Sequence, residues 1–162
     1  MFCQTKDGQV KYKYKENLLE FLKDCESELL SGKKRRIVVY PKSHIDPWDS
    51  DKITNQNEQL LRDIGGKANI YAIFTSEQHE EAWRLRYIGQ TKSKIARSRL
   101  RNHLIKKSEK TGAKLAKIID HVNAGGSVKV SWISVTPESL RCYVEEELIK
   151  MHSEADWNAH GK

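Results

Sequence analysis

Two tyrosines, an arginine, a histidine, a glutamate and an asparagine are spread along the second part of the chain, and their types suit one kind of chemistry. Tyr71 sits in Asn69-Ile70-Tyr71-Ala72-Ile73-Phe74, and Tyr87 opens Tyr87-Ile88-Gly89. Arg99-Leu100-Arg101-Asn102-His103 follows, then Glu145 in Val144-Glu145-Glu146-Glu147-Leu148-Ile149-Lys150, and last Trp157-Asn158. Arginine presents a planar fork of donors that matches phosphate oxygens. A carboxylate is a hard oxygen donor of the kind Mg²⁺ or Mn²⁺ prefers, and such an ion keeps most of its waters, so one glutamate can suffice as its protein ligand. Tyrosine is a poor base at its free pKa of roughly 10, and a neighbouring cation favours its phenolate. Arg99 and His103 stand at i and i+4, which puts both on one face of a helix.

The charge distribution points to a polyanion. The chain of 162 residues carries a net charge of +7. Between Arg84 and Lys117 there are twelve Lys or Arg and a single acid, Glu109, so this stretch carries +11 and the rest of the chain −4. A charge run is usually a solvated helix face, but here the acids that normally intersperse such a face are missing, and the asymmetry reads as an electrostatic footprint for nucleic acid. Lys92, Lys94, Arg97, Arg101, Lys106 and Lys107 are the candidate contacts to a nucleic-acid backbone, positioning a strand without reading its sequence.

These residues need elements to hold them. Residues 15–31 read as an amphipathic helix, with Leu18, Leu19, Phe21, Leu22, Cys25, Leu29 and Leu30 at helical spacing. Residues 36–40 are a β-branched apolar run that suits a strand, residues 41–52 a loop, and residues 53–64 a short helix through Leu60, Leu61 and Ile64. Residues 68–75 and 84–89 are predicted partner strands, joined by a polar connection around 76–81. A helix over 94–108 has Ile95, Leu100, Leu104 and Ile105 as its apolar face, and a second over 112–123 has Leu115, Ile118, Ile119 and Val122. Residues 128–135 alternate as a strand. Thr136-Pro137 predicts an N-cap with proline at the first helical position, opening a last helix over 137–152.

The ordered residues, from Tyr71 through Tyr87-Ile88-Gly89, Arg99, His103 and Glu145 to Asn158, resemble the GIY-YIG nuclease family, which cuts phosphodiester bonds with a divalent metal. The resemblance covers residues 68–158 and implies an α/β fold: a small central three-stranded antiparallel sheet flanked by helices, in the order β-β-α-α-β-α. It implies a metal-dependent endonuclease acting on DNA, with RNA left open. Tyr71 would be the water-activating or water-orienting group and Tyr87 its companion near the same phosphate. Arg99 would bind the scissile phosphate, and His103 would orient water or contact phosphate; a structural role for His103 is an equal alternative. The family helix reads arginine, apolar, two polar, then histidine or tyrosine, a frame that Arg99 fits, with Arg97 as the fallback. Leu148-Ile149 sets the frame that makes Glu145, rather than Glu146 or Glu147, the ligand for one Mg²⁺ or Mn²⁺ ion per site. Asn158 would brace the site or contact phosphate, with Trp157 as a core lid.

The chain departs from the family pattern at Asn69, where a glycine is usual, and in the longer stretch between Tyr71 and Tyr87. Residues 1–67 are read as an α/β extension that packs on the core of a nuclease-like domain spanning 68–162; binding target or making an oligomer are its alternatives. A double-strand cut would need two sites, hence a homo-oligomer or two sequential nicks. Two other classes compete with the nuclease: a non-catalytic nucleic-acid-binding module on the same scaffold, and a protein-interaction domain that uses its basic helix.

Composition sets the outer bounds. Hydrophobic residues make up 38% and charged residues 31%, which excludes composition-driven disorder. No apolar run approaches the length of a membrane span, so no membrane partner is expected, and the N-terminus shows no apolar signal segment. Cys3, Cys25 and Cys142 share no metal-ligand spacing; they read as free thiols of a cytoplasmic protein, with Cys142 as buried packing on its helix.

Overall fold

A computed structural model of the chain describes residues 8–41, 47–78, 81–106 and 114–158. Among the described residues, ten α-helices and β-strands build an α/β fold: α1 (Lys15–Leu30), β1 (Arg36–Ile37), α2 (Ser50–Gln56), α3 (Glu58–Ile64), β2 (Ile70–Ser76), β3 (Arg84–Gln90), α4 (Ala96–Leu104), α5 (Leu115–Asn123), β4 (Ser127–Ile133) and α6 (Arg141–Met151). The strands form one antiparallel sheet in the order β1-β4-β2-β3.

The sheet thus has four strands rather than the expected three. The additional one, β1, comes from the N-terminal stretch and pairs Arg36 with Val130 and Ile37 with Lys129 on β4. A β-branched run announces a strand in sequence, but which sheet edge will receive it is a tertiary matter. The strand is also shorter than the apolar run 36–40. Past Val38, whose N–H still donates to the Val128 carbonyl, the backbone of Val39 is taken by the side-chain amide of Asn57, which accepts from its N–H and donates to its carbonyl, both at 2.8 Å. The same asparagine interrupts the helix expected over 53–64, leaving α2 and α3 on either side of it.

β2 is central, and all seven of its residues are buried. Alternation along it sends Tyr71 and Ile73 to one face and Ile70, Ala72 and Phe74 to the other. The first face is covered by α2, α3, α4 and α5, the second by α1 and α6. Both apolar clusters therefore combine residues from before and after position 68: Val38, Ile53 and Leu61 with Tyr71, Leu100 and Ile118, and Leu22, Cys25 and Leu29 with Ile88, Val144 and Leu148.

On β3 the register shifts between Ile73↔Tyr87 and Phe74↔Leu85, so Arg86 is an extra residue in a bulge. The bulge keeps Tyr87 on the face of Tyr71 and Leu85 on the face of Phe74. Arg86 itself is pinned by Thr75 Oγ1 at 3.0 Å and by both carboxylate oxygens of Asp156, with its guanidinium over the Trp157 ring.

Several expected details are corrected. Ile95 is 49% exposed and belongs to a 3₁₀ turn ahead of α4, so it is not part of that helix's apolar face. Cys142 is exposed, not buried packing. Pro137 is extended rather than helical; a 3₁₀ turn over Glu138–Leu140 follows it and leads into α6.

Candidate active site

The burial of α4 decides which of its cations face the sheet. Ala96, Leu100 and Leu104 are completely buried, and each leucine contributes about 1.5–3 kcal/mol in doing so. That rotation directs His103, also 0% exposed, beneath the sheet next to Tyr71 and Tyr87. Arg99, one turn earlier, interacts with both phenol groups and opposes the rise that burial imposes on their pKa values.

Arg97 and Arg101 turn elsewhere. The Nη2 of Arg97 donates to Glu58 Oε2 at 2.8 Å, and the Nε of Arg101 donates to Thr54 Oγ1 at 3.2 Å. Both arginines that flank Arg99 in sequence are thus engaged by α2 and α3, which the chain contributes from before position 68.

The two tyrosines and the histidine form a compact triangle, with ring centroids 6.1 Å (Tyr71–Tyr87), 5.5 Å (Tyr71–His103) and 5.2 Å (Tyr87–His103) apart. Tyr71 Oη and His103 Nε2 lie 2.8 Å apart. The other ring nitrogen, Nδ1, accepts the backbone N–H of Lys114 at 3.1 Å. In the neutral ring the proton is therefore on Nε2, and it is the histidine that donates to the phenol oxygen. The ring stays neutral because burial, helped by the charges of Arg99 and Lys114, lowers its pKa to about 3. Burial, followed by the neighbouring Tyr87, pushes the Tyr71 phenol far above its ordinary range, and burial likewise raises Tyr87. The resting site holds neutral phenols and a neutral imidazole.

Gly89 gives Tyr71 its place. The two are cross-strand partners, and a Cβ at position 89 would stand 2.5 Å from Tyr71 Cζ and Oη. Beyond Gly89 lies the free edge of β3, where outward-facing backbone groups alternate. Ile88 is taken by Asn158, whose amide accepts from its N–H and donates to its carbonyl, both at 2.8 Å. With its amide committed in this way and the residue buried, Asn158 braces the edge strand instead of facing solvent. The next outward amide, that of Gln90, lies by Glu145, which reaches the edge from α6. Burial raises the Glu145 carboxyl, while the Gln90 amide and Arg99 pull it down.

The donor set here is hard oxygen: one carboxylate and two phenols. Among the described residues no group of three or more His, Cys, Asp or Glu could hold a metal. A single carboxylate is an arrangement that a largely hydrated Mg²⁺ or Mn²⁺ accepts.

Next to the cluster, a groove of ≈ 550 Å³ is lined by Lys92, Lys94, Arg99 and Arg141, together with Gln90 and Asn102. Lys92 and Lys94 are exposed here, and Lys106 is exposed at the far end of α4. Lys107 lies outside the described residues. Arg141, Gln90 and Lys114 are the site residues that sequence reasoning missed. Arg141 stands four residues before Glu145, the same spacing that links Arg99 to His103, so it was open to discovery. Lys114 is brought under Tyr87, with Nζ 5.5 Å from the ring centroid, by a path no spacing rule describes.

Compared with family models, with curated proteins and with solved structures, the chain has no significant match.

Proposed function

We propose that the chain is a GIY-YIG-type endonuclease that hydrolyses phosphodiester bonds in DNA with Mg²⁺ or Mn²⁺. The observation that carries this reading is the meeting of Tyr71, Tyr87, His103 and Arg99 on one face of the sheet beside Glu145 at its edge. These residues span 75 positions, from Tyr71 to Glu145, and share no local reason to converge.

In this reading Arg99 receives the scissile phosphate through its fork of donors, neutralising oxygens on which charge builds up in the transition state. The Tyr71 oxygen accepts from His103 Nε2, and Arg99 and Tyr87 interact with the same phenol. With that hydrogen bond donated by His103, Tyr71 orients a water as a neutral phenol in the resting state, and a proton leaves it only when further positive charge enters the site. Tyr87, with Lys114 under its ring, walls the cluster on the second strand. Glu145 would hold the divalent ion, which when bound neutralises phosphate charge and stabilises the leaving oxygen.

The test is cleavage of plasmid and of a defined duplex with Mg²⁺ or Mn²⁺, with EDTA as the control and Glu145→Ala beside the parent. Cutting that needs the metal and is lost in Glu145→Ala is expected. A Glu145→Ala variant that cuts like the parent overturns the metal assignment. Tight binding with no cutting under any metal replaces the enzyme by a binding module; with about eight phosphate contacts, its log K would fall with log salt at a slope near −7.

A further inference from the structure

We propose that Arg141 binds a phosphate flanking the scissile one, and that Gln90 holds it in position to do so. The inference rests on the nuclease reading of the site and names how that site would grip its substrate beyond the reacting group.

Arg141 and Arg99 line the same groove. Arg99 borders the phenols on one side and the groove on the other, so a strand whose reacting phosphate meets Arg99 continues past Arg141. Arg141 is oriented for this by neutral partners: its Nε donates to Gln90 Oε1 at 2.9 Å, and its Nη1 donates to the Glu138 carbonyl at 3.1 Å. The carboxylate of Glu138 accepts from the Ser93 hydroxyl at 2.8 Å and forms no ion pair with Arg141, though the Arg141 charge helps to lower its pKa. In contrast, Arg36, Arg62, Arg86 and Arg97 each form an ion pair with a carboxylate. A guanidinium whose hydrogen bonds go to neutral oxygens has donors left for an incoming anion and loses little freedom on binding it.

Gln90 couples this grip to the reacting centre. Its side chain holds Arg141, one turn before Glu145 on α6, and its backbone lies beside the Glu145 carboxylate. A phosphate drawn to Arg141 is thereby set at a fixed distance from the carboxylate. Gln90 acts through Arg141 and is a positioning residue.

The experiment has two arms. The first measures binding of a fluorescent duplex in EDTA as salt is varied, for the parent, Arg141→Ala, Arg141→Lys and Gln90→Ala. Loss of one phosphate contact lowers the magnitude of the log K against log salt slope by about 0.9 in Arg141→Ala, with the slope restored in Arg141→Lys. The second compares cleavage of that duplex with cleavage of bis(p-nitrophenyl) phosphate, which has no flanking phosphate. The loss on duplex in Arg141→Ala should exceed the loss on the small ester tenfold or more, and Gln90→Ala should show the same bias to a lesser degree. An unchanged salt slope, or equal losses on both substrates, overturns the proposal. Should the parent cut neither substrate, the nuclease reading fails, and the salt slope alone still decides whether Arg141 meets a phosphate.

Discussion

Tyr71 and Gly89 face each other across the β2–β3 ladder so closely that a Cβ on residue 89 would stand 2.5 Å from the phenol Cζ and Oη. The glycine of Tyr87-Ile88-Gly89 is therefore the space in which the other tyrosine keeps its hydroxyl against His103. Gly89→Ala must displace that ring, since the rest of the tyrosine is enclosed by the core. Overpacking of this kind costs about 1–3 kcal/mol. The expected outcome is a protein that still folds and still binds DNA within a few-fold, but cleaves it at least tenfold more slowly in single-turnover assays, with urea denaturation measuring the stability. Full activity in Gly89→Ala would show that the position of the Tyr71 hydroxyl does not matter to the reaction.

His103 makes a pH prediction whose sign is fixed by its burial. Its pKa is about 3 in the folded chain and roughly 6.5 when unfolded. Its contribution is therefore fully present above the unfolded value and is lost as pH falls from there toward 3, because the unfolded state takes up the proton first. His103→Gln should flatten the acid limb of stability against pH, measured by urea denaturation between pH 7 and 4, and it should keep part of the activity because an amide N–H can still donate to Tyr71. An activity profile with an inflection near the ordinary histidine pKa that disappears in His103→Gln would contradict a ring that is neutral throughout.

Most of the architecture was legible because its signals are periodic. The apolar run in 68–75 and the helical spacing around Leu100 and Leu104 locate β2 and α4 within a few residues, and with them the faces on which Tyr71, Arg99 and His103 lie. What was not legible depends on partners distant in sequence. β1 joins a sheet whose other strands lie beyond residue 69, and Asn57 ends that strand and splits α2 from α3 through contacts with Val39. Asn69 behaves in the same way: its amide brackets the backbone of Val135, accepting from the N–H at 2.7 Å and donating to the carbonyl at 2.8 Å. Where the resemblance would place a glycine, this chain has a side chain that extends the β2–β4 ladder by one step. The choice between Arg97 and Arg99 was likewise a matter of frame in sequence, and it becomes a matter of partners in the fold.

That difference in partners gives the two arginines opposite expected phenotypes. Arg97 is tied to Glu58, whose carboxyl its hydrogen bond holds below the ordinary range. Arg97→Ala should lower the melting temperature slightly and leave cleavage within a few-fold. Arg99 interacts with both phenols and borders the groove. Its replacement by alanine should cost about 10²–10³-fold in cleavage, the usual loss for one donor aimed at developing charge, with no matching loss of thermal stability. Measuring cleavage and melting on the same preparations separates the two cases, and a reversal of the phenotypes would move the phosphate site to the α2–α3 side of α4.

His152 ties the N-terminal helix to the end of α6 and titrates in the opposite sense to His103. Its Nε2 lies 2.7 Å from Glu26 on α1 and its Nδ1 lies 2.7 Å from Glu154. Both ring nitrogens can donate at once only as imidazolium. Burial alone would lower its pKa, but the hydrogen bonds to Glu154 and Glu26 outweigh burial and raise it, even with Arg35 and Arg84 lining the same pocket. Glu154 is lowered in return by His152. The stabilisation is therefore fully present below the unfolded histidine value of roughly 6.5 and is lost as pH rises through the raised folded value; on the acid side it persists until the carboxylates protonate. Between pH 6 and pH 9 the parent should lose about 2–4 °C of melting temperature that His152→Gln does not lose. Because α1 covers the sheet face opposite Tyr71, cleavage per folded molecule should follow the same curve in both proteins. A parent and variant that melt in parallel across this range would show that the clasp carries no charge.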